Sequence, residues 1–104
     1  PSSRQRAIPR PRIDILVPAH NEQDGIELTV ESLLAQLTPK DRLIVIADNC
    51  SDETASIARE LGAIAVERHN LDQRGKGFAL DFGVRFISDD PPDVVVIVDA
   101  DCIV

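Results

Sequence analysis

Short apolar runs alternate with stretches of helical periodicity, and this alternation restricts the fold more than any other feature of the chain. The runs cover residues 13–17, broken only by Asp14, then 43–47, 63–66 and 94–98. The last of them, Val94-Val95-Val96-Ile97-Val98, is a series of β-branched residues that reads as a strand buried on both faces. Between the runs, Ile26, Val30, Leu33, Leu34 and Leu37 share one helical face, and Ala55, Ala58 and Leu61 share another. Phe78, Phe82 and Phe86 recur at i, i+4 and i+8, an aromatic stripe read as core rather than as a ligand box. The punctuation agrees. Pro18 closes the first run, Asp24 with Glu27 forms a capping-box-like helix start, and Ser51 or Asp52 can cap the second helix before Gly62 stops it. Thr38-Pro39-Lys40-Asp41 and Asp89-Asp90-Pro91-Pro92 are turns. The order β-α-β-α-β-α-β predicts an α/β fold with a mainly parallel sheet, helices covering it and right-handed crossovers.

Length and charge narrow the function classes. With 104 residues, 43% of them hydrophobic and 28% charged, the chain fits one soluble domain or part of one. It has no Met and begins with Pro, so it is expected to be a piece of a longer protein. No run is long enough to span a membrane, and no signal-peptide pattern is present. The formal charge of −7 is unevenly spread. Residues 1–12 carry Arg4, Arg6, Arg10 and Arg12 without an acid and read as a basic, Pro-rich linker. Such a segment suits either a flexible tail or a juxtamembrane stretch facing anionic lipid. Residues 13–104 are strongly acidic, which argues against nucleic acid as a partner. Cys50 and Cys102 form no disulfide framework and are read as reduced thiols of a cytosolic compartment. His20 and His69 show no metal spacing.

Four polar clusters punctuate this pattern: Pro18-Ala-His-Asn-Glu22, Asp48-Asn-Cys-Ser-Asp52, Arg74-Gly-Lys-Gly77 and Asp99-Ala-Asp101. The first, second and fourth follow strands, so they fall on the carboxyl edge of the sheet, where open α/β sheets bind ligands. The third opens a helix, where backbone N–H groups and the dipole favour an anion, and Arg74 and Lys76 add positive charge. Paired carboxylates such as Asp99 and Asp101 repel each other unless a cation lies between or beside them, and oxygen ligands suit Mg²⁺ or Mn²⁺. Each cluster also has a plainer account. Asp99-Ala-Asp101 could be a solvated acidic turn, Asp48-Asn-Cys-Ser51 turn and cap chemistry, Arg74-Gly-Lys-Gly77 a solvated loop, and Asn21-Glu22 a helix entry. Their shared edge is what the plainer accounts leave unexplained. No Gly-x-Gly-x-x-Gly follows the first strand and no P-loop occurs, which disfavours dinucleotide-binding units and P-loop NTPases.

With these residues in order, the chain resembles family-two glycosyltransferases of the GT-A fold. Val17-Pro-Ala-His-Asn-Glu22, Ala47-Asp-Asn-Cys-Ser-Asp-Glu-Thr54, Arg74-Gly-Lys-Gly-Phe-Ala-Leu80 and Val98-Asp-Ala-Asp101 look like that family's motifs, in the same order and spacing across residues 13–104. The flavour is similar to bacterial polysaccharide synthases. The resemblance implies the Rossmann-like N-terminal half of a GT-A fold that binds a nucleotide sugar, here a UDP-sugar, with Mg²⁺ or Mn²⁺ as cofactor. Pro18, Ala19, Asn21 and Glu22 would line the base and ribose pocket. Asp48, with Asn49 beside it, would accept a hydrogen bond from the base. Arg74 and Lys76 would lie near the diphosphate. Asp99 would approach ribose and metal, and Asp101 would ligate the metal. It further implies inverting transfer to a glycan or lipid-linked acceptor, with the general base expected after Val104, so that residues 1–104 alone would be inactive. The setting implied is cytoplasmic, at the cytoplasmic face of a bacterial membrane if further segments anchor the protein. Two other readings stay open from the residues alone: a nucleotidyltransferase and a non-catalytic nucleotide-binding module.

Overall fold

The structure is a computed structural model that describes residues 10–100. Seven elements follow one another: β1 (Ile13–Ala19), α1 (Ile26–Leu34), β2 (Arg42–Asp48), α2 (Thr54–Glu60), β3 (Ile64–Arg68), α3 (Lys76–Ile87) and β4 (Val94–Ile97). Among the described residues the strands form one sheet in the order β3-β2-β1-β4. Every pairing is parallel, with Ile15 opposite Leu43, Ile15 opposite Val96, and Val45 opposite Ala65. The chain therefore builds outward from β1 to β3, then crosses back to add β4 on the other side of β1. That reversal of winding opens a crevice at the carboxyl edge between β1 and β4.

The two faces of the sheet are covered by different helices because side chains alternate along each strand. Ile15, Val17, Leu43 and Val45 face α1 and α2, where they meet Ile26, Val30, Leu33 and Ala58. Leu16, Ile44 and Ile46 face α3, where they meet Ala79 and Ile87. Burial on both faces explains why β1 and β2 read as almost unbroken apolar runs.

The α3 face corrects one sequence expectation. The aromatic stripe is not the buried one: Phe82 is half-buried against the core, whereas Phe78 and Phe86 are exposed. The buried line of α3 is Ala79, Gly83 and Ile87, at the same i, i+4, i+8 spacing but one position on. Small residues win this face because the helix lies close to the sheet. A Cβ at Gly83 would fall 2.9 Å from Ile46 Cδ1. An aromatic side chain would hold the helix away from the strands.

A second correction concerns β4. Val94, Val95, Val96 and Ile97 are 38 to 54% exposed, not buried on both faces. Among the described residues β4 pairs only with β1 and is an edge strand, and neither face carries a packed helix. Two smaller differences concern termini. The N-cap of α1 is Gly25 and makes no side-chain cap bond, so Asp24 does not cap it. Strand β1 runs past Pro18 to Ala19. Pro18 is tolerated because it lies beyond Leu16–Ile97, the last β1–β4 pair. Asp52 does meet the start of α2, accepting from Thr54 N at 3.0 Å.

The end of the sheet opposite the crevice is closed by charge pairs. Asp14, the polar interruption of β1, is fully buried and receives Arg42 Nε and Nη2 at 3.0 and 2.6 Å. Asp41 accepts from Ile13 N at 2.8 Å and from Arg10 Nη1 at 2.6 Å. Arg12 donates to Asp90 O at 2.7 Å, and its own N–H donates to Asp93 Oδ2 at 2.8 Å. Residues 10–12 thus lie against the sheet, while positions 1–9 of the basic segment fall outside the described residues. Among those described, no helix is long and apolar enough to cross a membrane.

Candidate functional site

A cleft of about 330 Å³ opens at the carboxyl edge of the sheet. Pro18, Ala19, His20 and Glu22 line it from the end of β1, and Asp48 and Asn49 from the end of β2. Arg74, Gly75, Lys76 and Ala79 come from the start of α3, Leu71 from the loop before it, and Asp99 and Ala100 from the end of β4. Of the ten residues nominated from sequence, eight therefore share this one cleft. Asn21 does not line it, and Asp101 lies outside the described residues.

Asn21 serves the loops instead. Its φ of +49° places it in the left-handed region, which Asn tolerates better than most residues. From there its Oδ1 accepts from Ser51 N at 2.8 Å and its N–H reaches Cys50 Sγ at 3.2 Å. The stitching continues with Glu22 N donating to Thr54 Oγ1 at 2.9 Å and Glu53 N donating to Gln23 Oε1 at 3.0 Å. Burial raises the Asp52 carboxyl, but hydrogen bonds from Thr54 and Gln23 outweigh it and leave the pKa below the ordinary value. Burial pushes the Cys50 thiol up, away from the thiolate form.

Asp48 sits at the base of the cleft, almost enclosed. Its Oδ1 accepts from Arg68 Nη1 at 2.7 Å. The neighbouring Asn49, also left-handed at φ +53°, spends its side chain on the loop after β3: Oδ1 accepts from Asn70 N at 2.7 Å, and Nδ2 donates to Asn70 O at 3.2 Å. Asn49 thereby ties down the segment that carries Leu71 and Arg74. His20 Nδ1 lies 2.9 Å from the Asp48 carbonyl. A carbonyl only accepts, so Nδ1 carries the hydrogen there.

The opposite wall is cationic. The N-cap of α3, Gly75, has φ +116° and no side chain caps the first N–H groups of this three-turn helix, which starts at the cleft with Lys76. A Cβ at Gly75, which lines the cleft, would meet nothing within 4 Å, so the backbone there is open to close approach. Lys76 Nζ lies 2.5 Å from Asp99 Oδ1, which brings the helix start and the β4 end together. Ala100 is braced by Thr29 of α1, whose buried Oγ1 donates to the Ala100 carbonyl at 3.1 Å. Among the described residues, no group of three or more His, Cys, Asp or Glu side chains gathers as a metal site. Asp99 is an oxygen donor of the kind a hard divalent cation takes.

Sequence reading did not nominate His20, Leu71, Gly75, Ala79 or Ala100. His20, Gly75, Ala79 and Ala100 all lay inside quoted motifs, so each had a signal. Leu71 had none, being an isolated apolar residue in a polar loop.

The parallel order, the winding reversal and the cleft at that point define a Rossmann-like fold of the GT-A glycosyltransferase class. Residues 14–104 match the model of glycosyl transferase family 2, and the chain belongs to that family. It is 32% identical over 109 residues to a Bacillus subtilis (strain 168) protein named "Probable glycosyltransferase YdaM", covering 97% of this chain and 25% of that protein. Among solved structures, glucosyl-3-phosphoglycerate synthase from Mycobacterium tuberculosis with Mn²⁺, UDP and glucosyl-3-phosphoglycerate superposes with a TM-score of 0.71 at 32% identity, covering 88% of this chain and 34% of that one. The mannosyltransferase PcManGT from Pyrobaculum calidifontis, with GDP-Man and Mn²⁺, gives 0.71 at 30% identity, covering 88% and 28%. The chain thus spans about a quarter to a third of the length of these relatives.

Proposed function

We propose that this chain is the donor-binding part of a glycosyltransferase and that its cleft holds a UDP-sugar together with Mg²⁺ or Mn²⁺. The observation that carries the reading is the layout of a single cleft: an enclosed carboxylate, Asp48, at the end of β2, and Asp99 after β4, on the other side of β1, with Lys76 paired to it and Arg74 in the same lining. A nucleoside diphosphate has the matching polarity, with hydrogen-bond donors on its base and negative charge on its phosphates. Asp48 accepts from the base, Pro18, Ala19 and Glu22 flank base and ribose, and Arg74, Lys76 and the N–H groups of α3 face the diphosphate. Asp99, with Asp101, holds the divalent ion. When bound, that ion neutralises the charge of the departing nucleoside diphosphate. Inverting transfer to a glycan or lipid-linked acceptor completes the reading. The two structural relatives named above support a nucleotide-sugar donor and a divalent cation, one having been solved with UDP and the other with GDP-Man.

Calorimetric titration tests this. UDP is expected to bind with Mn²⁺ present and at least tenfold more weakly in EDTA, and Asp99→Asn should remove most of that difference because an amide is a poorer ligand for a hard cation. Asp48→Asn should cost about tenfold in UDP affinity, the scale of one hydrogen bond to a charged group, and leave pyrophosphate binding unchanged. Equal UDP binding in EDTA overturns the metal-bridged reading. Tighter binding of GDP than of UDP moves the donor from uridine to guanosine.

A further inference from the structure

The strand-end pair Arg68–Asp48 does more than close a gap in the fold. Asp48 ends β2 and Arg68 ends β3, and the two are direct partners in the parallel register. Their side chains meet at 2.7 Å while only 7% and 10% exposed, respectively. Such enclosure leaves little room for water to replace either partner, so the pair favours one geometry. Both the side chain and the backbone of Arg68 have a further contact. The guanidinium carbon lies over the Phe78 ring at 5.4 Å from the centroid, and the Arg68 carbonyl accepts from Asn49 N at 2.7 Å. This also gives a use to Phe78, an exposed aromatic that the core does not need. Arg68 does not line the cleft, whereas Asp48 does.

We propose that Arg68 is a positioning residue for base recognition: by occupying Asp48 Oδ1 it presents the other carboxylate oxygen to the cleft in one orientation. This rests on the nucleotide-sugar reading above. A carboxylate offers only acceptors, and one oriented oxygen selects a base edge that presents an N–H at that point. Uracil has an imide N–H there. Cytosine has an unprotonated ring nitrogen and is rejected, because the buried acceptor would be left facing a second acceptor. Without Arg68 the carboxylate can rotate, and the distinction between bases should weaken more than overall binding does. Phe78 sits two residues after Lys76, so the same brace links the base end of the cleft to the helix start that faces the diphosphate.

The experiment is a titration of the protein, with Mn²⁺ present, against UDP, CDP and pyrophosphate as separate probes. Arg68→Leu is expected to weaken UDP about tenfold, to leave pyrophosphate within about twofold, and to shrink the UDP-to-CDP ratio. Arg68→Lys, which restores a charge but not the planar fork, should recover UDP only in part. Phe78→Leu provides a milder variant that keeps the charge pair and loses the ring; it should move the UDP-to-CDP ratio in the same direction. Pyrophosphate binding reports that each variant is folded. The inference is overturned if Arg68→Leu leaves the UDP-to-CDP ratio unchanged, or if UDP and pyrophosphate fall together. Asp48→Asn separates this from the parent reading. If Asp48→Asn costs UDP affinity while Arg68→Leu does not, only the role of Arg68 falls. If Asp48→Asn costs nothing, the placement of the base against Asp48 falls, and the role of Arg68 with it.

Discussion

Asp41 shows how much one side chain can hold at the end of the sheet away from the cleft. Its carboxylate accepts four hydrogen bonds, from Thr38 N at 2.9 Å, Thr38 Oγ1 at 3.0 Å, Ile13 N at 2.8 Å and Arg10 Nη1 at 2.6 Å. The Thr38 backbone N–H leads, and together these donors outweigh burial and hold the carboxyl well below the usual carboxylate range. A carboxyl depressed in the folded state stabilises it fully above the unfolded pKa, near 4, and the contribution is lost as pH falls below that toward the folded value. Stability should therefore drop as pH is lowered from about 5 through the 3s. Asp41→Asn should lower stability at pH 7 and flatten that acid limb. Urea midpoints measured from pH 7 to pH 3 check this, and an acid limb equally steep in the variant would remove Asp41 from the account. Asp14 is the contrasting case: fully buried and held by both prongs of Arg42, it has the geometry in which removing one partner leaves an uncompensated buried charge.

At the scale of elements, the approach of α3 to the sheet decides where its Arg74–Lys76 start can lie. Gly83 is the contact that permits it. A Cβ there would meet Ile46 Cδ1 at 2.9 Å, Ile46 Cγ1 at 3.2 Å and Leu16 Cδ1 at 3.4 Å, and both side chains are fully buried. Gly83→Val should cost about 1–3 kcal/mol, the range for overpacking a close-packed core, against only a few tenths gained in helix propensity. Chemical denaturation measures it. A neutral or stabilised variant would mean that α3 shifts freely on its bed. This contact was not legible in the sequence, because periodicity reports which spacing a helix uses and not how near the helix lies to its neighbour. Large aromatics and small residues compete for one face, and distance decides between them. The β-α-β-α-β-α-β order was legible, since each strand is a short β-branched run and each helix repeats with period near 3.6. The exposure of β4 was not: five β-branched residues identify a strand but say nothing about what covers it. The cleft was legible through strand-end clusters, whereas the Arg68–Asp48 pair depends on a β2–β3 register that joins positions 20 residues apart.

For the molecule as a whole, the cleft lies at the edge where strands end and crossovers begin. Its walls come from the ends of β1, β2 and β4 and from the start of α3, so residues from 18 to 100 must be in place before a ligand can be held. The unfolded chain has no comparable site. A nucleoside diphosphate with its cation should therefore stabilise the fold by mass action, by about 2.7 kcal/mol at a hundredfold excess over Kd. For a domain of this size that corresponds to a rise in melting temperature of roughly 10 °C or more. Thermal melts in Mn²⁺ alone, UDP in EDTA, UDP with Mn²⁺ and uridine with Mn²⁺ separate the contributions. The full rise is expected only for UDP with Mn²⁺. On the proposed donor reading uridine should give little, because it lacks the diphosphate that Lys76 and Arg74 would meet. A full rise with uridine would put the binding energy at the base end alone and would leave the helix start of α3 without a role in the donor site.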